Sequence, residues 1–128
     1  MLNVISVFIG GGIGSLLRYL VNTIFARYSL LNLPYATLCV NIIGSFILGM
    51  LFVFFIQKTD LHPAWRLALS VGFCGGLTTF STFSVEAFEI LKNGQVLIGF
   101  LYMLVSVAAC VTAAGAGYCL GGCIGKYL

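Results

Sequence analysis

Four long apolar stretches, separated by short polar segments, constrain the fold of this chain more than any other feature of its sequence. They run roughly over Asn3–Phe25, Tyr35–Ile56, Trp65–Ile90 and Val96–Ile124. A helix needs about 20 consecutive apolar residues to cross the hydrocarbon core of a bilayer. Each stretch is long enough for one crossing. We therefore predict an all-α, integral membrane four-helix subunit that forms a single transmembrane domain over residues 1–128.

The composition excludes several other classes of protein. Charged residues make up 7% of the chain and apolar residues 61%, whereas a soluble domain carries about 25% charged residues. A surface that binds nucleic acid needs clustered Lys and Arg residues, but the six in this chain are scattered along its length. We therefore do not expect a soluble enzyme, a disordered chain or a nucleic-acid-binding protein.

The cysteines and glycines of the apolar stretches are interpreted as packing residues. The five cysteines lack the paired spacing of metal ligands, and we expect buried, unreactive thiols. Glycines recur every four residues in the first and last stretches, and small residues at this spacing let helices approach closely in lipid. The residues concerned are Cys39, Cys74, Cys110, Cys119 and Cys123, and Gly10, Gly14, Gly117, Gly121 and Gly125.

The charges of the loops do not favour one orientation in the membrane. Orientation follows the excess of Lys and Arg in the loops on one side, and here the numbers on the two sides are nearly equal. We therefore predict that the chain inserts both ways up. One side carries Lys58, Arg66 and Lys126, and the other carries Arg27 and Lys92, together with Arg18 if its side chain extends that way.

The third stretch has an unusual centre. The segment Gly72–Ser84 contains the adjacent glycines Gly75 and Gly76 and five hydroxyl side chains, a composition that disfavours a continuous helix. We expect a break at the two glycines. Non-helical backbone at membrane depth is tolerated where it is buried in protein or lines a wet cavity, and broken helices expose carbonyls to ions. The alternative is a kinked helix whose hydroxyls bond to their own carbonyls.

Four polar side chains of the first three stretches are candidates for a functional role. Asn41 is near the middle of the second, where an amide either holds helices together or faces a pore. Arg18 lies beyond the middle of the first, and burying it at a helix centre costs about 2.5–3.5 kcal/mol; we expect it to extend into a vestibule. Glu86 and Glu89 come late in the third stretch, near its expected mouth.

Two sets of residues have the spacing of one helical face. Tyr102, Ser106 and Cys110 are four residues apart, and such donors either follow an anion along a pore or form bonds between helices. Phe80 and Phe83 are three apart and share a face if the helix resumes after the break. Because an aromatic ring has a positive edge, this pair either favours a desolvated anion or simply packs.

Three segments carry a resemblance to a known family. The segments Gly10–Tyr19, Thr37–Phe46 and Gly72–Glu86 resemble the fluoride channel family known as Fluc or CrcB. The third is the most specific, because its glycines, hydroxyls and phenylalanines all fall in the family order. The resemblance extends over essentially the whole chain, more loosely in the fourth stretch.

The resemblance implies an assembly and a function. It implies an antiparallel, dual-topology homodimer in the plasma (inner) membrane of a prokaryote, which exports fluoride passively and so lowers cytoplasmic fluoride. It further implies a structural sodium ion at the dimer interface, held by the backbone carbonyls of Gly75 and Thr78. Lipid and fluoride would be the other partners.

The resemblance also implies roles for individual residues. Arg18 and Glu86 match vestibule positions. The sequence departs from the family pattern at Cys110 and Ala114, where the polar track of the fourth helix usually has hydroxyls. The matches to pore positions are Asn41, Phe80, Phe83, Ser81, Thr82, Tyr102 and Ser106.

Two other functions remain open on the sequence alone. A small dual-topology multidrug exporter shares the size and the number of spans, but proton-coupled exporters of that kind need a carboxylate deep in the first span, which this sequence lacks. The second alternative is a membrane assembly protein that transports nothing. A membrane enzyme is disfavoured, since no paired nucleophile set occurs at membrane depth.

Overall fold

The computed structural model describes residues 1–28, 34–57 and 61–125, and this part of the chain contains helices and no β-strand. Its helices long and apolar enough to cross a membrane are Leu2–Ala26, Tyr35–Ile56, Pro63–Lys92 and Val96–Ile124. The prediction of an all-α subunit with four spans is confirmed, and the bounds differ by a few residues. The elements are α1 (Leu2–Tyr28), α2 (Tyr35–Gln57), α3 (Pro63–Leu67), a π-helical segment (Ala68–Cys74), α4 (Gly75–Leu77), α5 (Phe80–Lys92) and α6 (Val96–Gly125).

The third span is assembled from several short pieces. It begins at Pro63, where a proline suits the first turn of a helix, and the Nδ1 atom of His62 accepts a hydrogen bond from the backbone N–H of Ala64 at 3.2 Å. After α3 the backbone passes through the π-helical segment and α4. It then becomes extended at Thr78 and Thr79 before α5 begins.

The interruption does not lie where the sequence suggested. We expected the break at Gly75 and Gly76, and this position is wrong because both glycines are helical. The extended residues are Thr78 and Thr79 instead. Thr79 is the N-cap of α5, and its hydroxyl accepts from the N–H of Thr82. Threonine favours such a cap because its side chain replaces a missing helical partner, and this fixes the interruption at the threonines.

The helices pack as two pairs, α1 with the third span and α2 with α6. Glycines permit both approaches. A Cβ atom on Gly10 would overlap the carbonyl oxygen of Ala68, and one on Gly117 would overlap the carbonyl oxygen of Phe46. Both glycines therefore lie at helix–helix contacts, as their spacing suggested. A small core between α5 and α6 consists of Phe83, Ala87, Ile90 and Tyr102.

Some expectations are corrected and others fall outside the structure. The expectation of buried thiols is confirmed for Cys74 and wrong for Cys119 and Cys123, which are exposed, while Cys39 and Cys110 are half-buried. Lys58 and Lys126, which enter the argument about orientation, lie outside the described residues. The single domain over residues 1–128 stays a prediction.

Candidate functional site

The amide of Asn41 binds the backbone at the interruption of the third span. Its Nδ2 atom donates to the carbonyl oxygen of Thr79 at 3.1 Å, and the N–H of Thr79 donates to its Oδ1 atom at 2.8 Å. The amide thus supplies both partners that the extended backbone of Thr79 lacks. An asparagine amide carries two N–H donors, so one N–H remains for another ligand.

The hydroxyl of Thr79 organises the start of α5. Its Oγ1 atom accepts from the N–H of Thr82 at 3.2 Å, and it also lies 3.0 Å from the hydroxyl of Thr82 and 3.2 Å from that of Ser81. The predicted pore residues Ser81 and Thr82 are exposed and belong to this cap. Because α5 begins here, the positive end of its dipole lies beside the interruption.

An open groove of about 230 Å³ lies beside the interruption, between α2, α5 and α6. It brings together four of the predicted pore residues, namely Asn41, Phe80, Phe83 and Ser106. Most of its surface is apolar, and a few polar groups converge on it, as in many ligand sites. The full lining is Asn41, Ser45, Thr79, Phe80, Phe83, Ser106, Val107, Cys110 and Val111.

The two phenylalanines of the groove have different surroundings. Their ring centroids are 5.6 Å apart with an angle of 45° between the rings. Phe83 is only 8% exposed and contacts the ring of Tyr102 at 5.3 Å, whereas Phe80 is 77% exposed. Phe83 therefore belongs both to the subunit core and to the groove, while Phe80 presents its ring outwards.

The side chains of Tyr102 and Ser106 lie within reach of each other on α6, but only Ser106 lines the groove. The hydroxyl of Tyr102 donates to Oε2 of Glu86 at 2.9 Å, and the ring lines a separate apolar cavity of about 340 Å³. The hydroxyl of Thr37 donates to Oε1 of the same carboxylate at 2.6 Å. Glu86 thus binds two hydroxyls from other helices. Ser106, one turn further along α6, lines the groove itself.

Ser106 has an unusual hydroxyl group. The residue is 5% exposed, and its Oγ atom makes no hydrogen bond with any described residue. A buried polar group usually has a partner, and leaving one unpaired costs about 1–3 kcal/mol. The Oγ atom itself has almost no exposed surface and lies within reach of the hydroxyl of Tyr102, so other atoms of Ser106 line the groove.

Arg18 lies against the interruption. Its Nη1 atom donates to the carbonyl oxygen of Thr78 at 3.3 Å.

Gly75 is exposed. Because the backbone is extended beyond α4, the last carbonyls of that helix have no helical donors, and no described residue donates to the carbonyl of Gly75.

The residues available for a metal ion at this position are carbonyls. The described residues contain no group of three His, Cys, Asp or Glu side chains that would hold a metal. Carbonyl oxygens suit a hard cation, so Gly75 and Thr78 fit a sodium ion by donor type. Thr78 would share its oxygen with the guanidinium of Arg18.

Sequence reasoning missed two polar residues of the groove, Thr79 and Ser45. Thr79 lies in the hydroxyl-rich segment, but nothing in the sequence distinguishes it from the neighbouring threonine. Ser45 follows Asn41 by four residues on α2, and residues at this spacing share a helical face. That spacing would have identified Ser45 once Asn41 was assigned to the groove.

Comparisons with known proteins identify related sequences. The family described as CrcB-like protein, Camphor Resistance (CrcB), matches residues 5–118. A protein of Geobacter sp. (strain M21) is 43% identical over 107 residues, which cover 84% of this chain and 86% of that protein. A protein of Hahella chejuensis is 41% identical over 118 residues, which cover 92% of this chain and 93% of that protein. A protein of Pyrococcus abyssi is 42% identical over 112 residues, which cover 88% of this chain and 89% of that protein. All three are named fluoride-specific ion channel FluC.

Replacing Asn41 by alanine should destabilise the subunit. The variant Asn41→Ala leaves the N–H of Thr79 without a partner, and we expect the free energy of unfolding to fall by about 1–3 kcal/mol. Thermal unfolding in detergent, followed by the fluorescence of Trp65, measures this. Ser45→Ala is the matched control, because Ser45 lines the same groove on the same helix without binding the interruption. Equal melting temperatures for the two variants would contradict the proposed support of Thr79.

Proposed function

The chain belongs to the CrcB-like family, and from this premise we propose that it conducts fluoride through the groove beside the interrupted third span. It is a multi-pass membrane protein and not an enzyme. The observation that carries the proposal is the convergence of Asn41, Phe80, Phe83 and Ser106 on one groove.

The groove offers donors suited to a small, strongly hydrated anion. Asn41 uses one of its two amide N–H groups on the carbonyl of Thr79 and keeps the other as a donor. The edges of Phe80 and Phe83 add weak positive potential. No Lys or Arg is among the described lining residues, so an ion is bound without being trapped. Conduction needs such a balance between entry and release.

Transport is proposed to be passive and directed outwards. The described lining of the groove has no carboxylate that would couple flux to protons. The membrane potential supplies about 2.3 kcal/mol per elementary charge for every 100 mV. In a cell with a negative interior the membrane potential drives an anion outwards. An open route is therefore sufficient to lower cytoplasmic fluoride. The proposed location is accordingly the plasma (inner) membrane of a prokaryote.

We assign the working assembly as an antiparallel, dual-topology homodimer. The loops have little excess of positive charge on either side, which favours insertion in both orientations. Phe80 has little cover within its own subunit, where its ring contacts Phe83. A second copy packed against the interruption would cover this ring and close the open side of the groove.

A structural sodium ion is proposed at the centre of this dimer. Two copies would bring together four backbone oxygens, from Gly75 and Thr78 of each chain. The ion would supply a permanent positive charge that holds the two interrupted spans together. The guanidinium of Arg18 already donates a hydrogen bond to the carbonyl of Thr78. The carbonyl of Gly75 is therefore the more accessible ligand for the ion.

Replacing the phenylalanines tests the route. Purified protein in liposomes should release fluoride and retain chloride. Phe80→Ile and Phe83→Ile keep apolar bulk but lack the ring edge, so both should lose most of the initial fluoride efflux while gel filtration still shows a dimer. Phe88→Ile is the matched control, because Phe88 lies on α5, is 64% exposed and does not line the groove. Intact dimers of both groove variants with parental efflux would show that the rings only pack.

Replacing Gly75 tests the sodium site. A Cβ atom on Gly75 meets nothing within 4 Å inside the subunit, and its backbone angles of −66° and −33° suit any residue. Gly75→Val should therefore fold, yet lose dimer and bound sodium by crowding the interface. Gel filtration and elemental analysis measure the two effects. Gly115→Val, equally open within the subunit, is the control. A Gly75→Val dimer with full sodium content would place the site elsewhere.

Labelling a single cysteine tests the orientation. In a variant without the five native cysteines, Asn93→Cys places a thiol beyond the end of α5. An impermeant maleimide added to intact cells should modify roughly half of the copies, since the loop charges are balanced. The remaining copies should react after the membrane is opened. Complete modification from one side would rule out dual topology.

A further inference from the structure

The hydroxyl of Ser45 is a hydrogen-bond donor that the subunit leaves unused. Ser45 lies on α2, is half-buried and lines the groove. Its Oγ atom makes no hydrogen bond with any described residue. Unlike the Oγ atom of Ser106, it is not fully enclosed by its surroundings. A serine carries one O–H donor, so this donor is free for a ligand that enters the groove.

Most other hydroxyls of the described spans already use their donor within the subunit. Six of them donate to the backbone carbonyl four residues earlier, namely those of Ser6, Thr23, Ser70, Thr78, Ser84 and Thr112. This is a common bond of Ser and Thr in helices, and it leaves no O–H for an anion. The same bond would join Ser45 to the carbonyl of Asn41, and it is not formed.

Ser45 lies across the groove from Cys110, at the same level. The helices α2 and α6 run in the same direction, because the first turns of both line one apolar cavity. They touch where a Cβ atom on Gly49 would overlap the carbonyl oxygen of Ala114. One turn before this contact, the two helices carry Ser45 and Cys110, and both line the groove. Since a thiol is a weak donor, Ser45 supplies the strong donor at this level.

The position of Ser45 also continues the path of an anion that meets Asn41. The two residues are four apart on α2 and share a helical face, which separates them by about 6 Å along the helix axis. Asn41 keeps one N–H beyond the one that it donates to Thr79. An ion moves readily between neighbouring sites that each bind it moderately. The two donors therefore form consecutive steps on one wall of the groove.

We propose that Ser45 is a second binding side chain for the anion, and that its hydroxyl donates a hydrogen bond to fluoride one turn beyond the amide of Asn41. This assignment rests on the proposed fluoride conduction and adds a site to it. It also explains why Ser45 forms no bond to the carbonyl of Asn41, because that bond would occupy the donor that the ion needs.

Fluoride efflux from liposomes tests the role of this hydroxyl. Ser45→Ala removes one oxygen atom and should lower the initial efflux about ten-fold, because a hydrogen bond to a charged group is lost. Ser6→Ala is the matched control, since the hydroxyl of Ser6 donates to the carbonyl of Leu2 on α1 and lies outside the groove. This control should keep the parental efflux. Gel filtration and thermal unfolding should show unchanged assembly and stability for both variants.

A double variant separates binding of the anion from packing. Ser45→Ala combined with Cys110→Ser transfers the hydroxyl to the opposite wall at the same level of the groove. If the hydroxyl binds the anion, the double variant should recover most of the efflux that Ser45→Ala loses. If Ser45 only packs, no recovery should follow, because the space left on α2 remains empty.

Three results would overturn the assignment of Ser45. The first is parental efflux in Ser45→Ala, and the second is a loss that Cys110→Ser does not reverse. The third is a Ser45→Ala protein that no longer assembles as the parental chain does, which would show a structural role. In each case the parental chain still conducts, so the proposed function stands. A parental chain that releases no fluoride would instead overturn the proposed function, and the role of Ser45 with it.

Discussion

The pair of hydrogen bonds between the Asn41 amide and the backbone of Thr79 is the interaction on which the rest of the site depends. An extended residue inside a membrane span exposes an N–H and a C=O that lipid cannot satisfy. Asn41 satisfies both from a neighbouring helix. Because Thr79 is held, its hydroxyl caps α5, and the first turn of α5 then places Phe80 and Phe83 beside the groove. Asn41 therefore both supports the interruption and lines the groove.

A second polar cluster connects the same helices away from the groove. The carboxylate of Glu86 on α5 accepts from Thr37 on α2 and from Tyr102 on α6. Hydrogen bonds to a charged group are stronger than those between neutral groups, and this cluster links three helices at one level. The cluster holds Tyr102 at one end of the helical face that it shares with Ser106.

The subunit presents an incomplete surface around the groove. Phe80 exposes most of its ring, and no described residue donates to the carbonyl of Gly75. The proposed antiparallel partner would cover the ring of Phe80. It would also supply further carbonyl oxygens for a cation beside Gly75.

The sequence alone determined the four spans, because hydrophobic length is a local property of each segment. It also determined that the third span is irregular, since glycines and hydroxyls disfavour a helix wherever they occur together. Only the tertiary structure decided that the interruption lies at Thr78 and Thr79, because Asn41, which supports it, is 38 residues away. Likewise, the contact of Tyr102 with Glu86 and the outward exposure of Cys119 depend on how α6 is rotated against α2 and α5. The partner that a polar group finds in a membrane depends on how the helices pack. No short sequence pattern determines that packing.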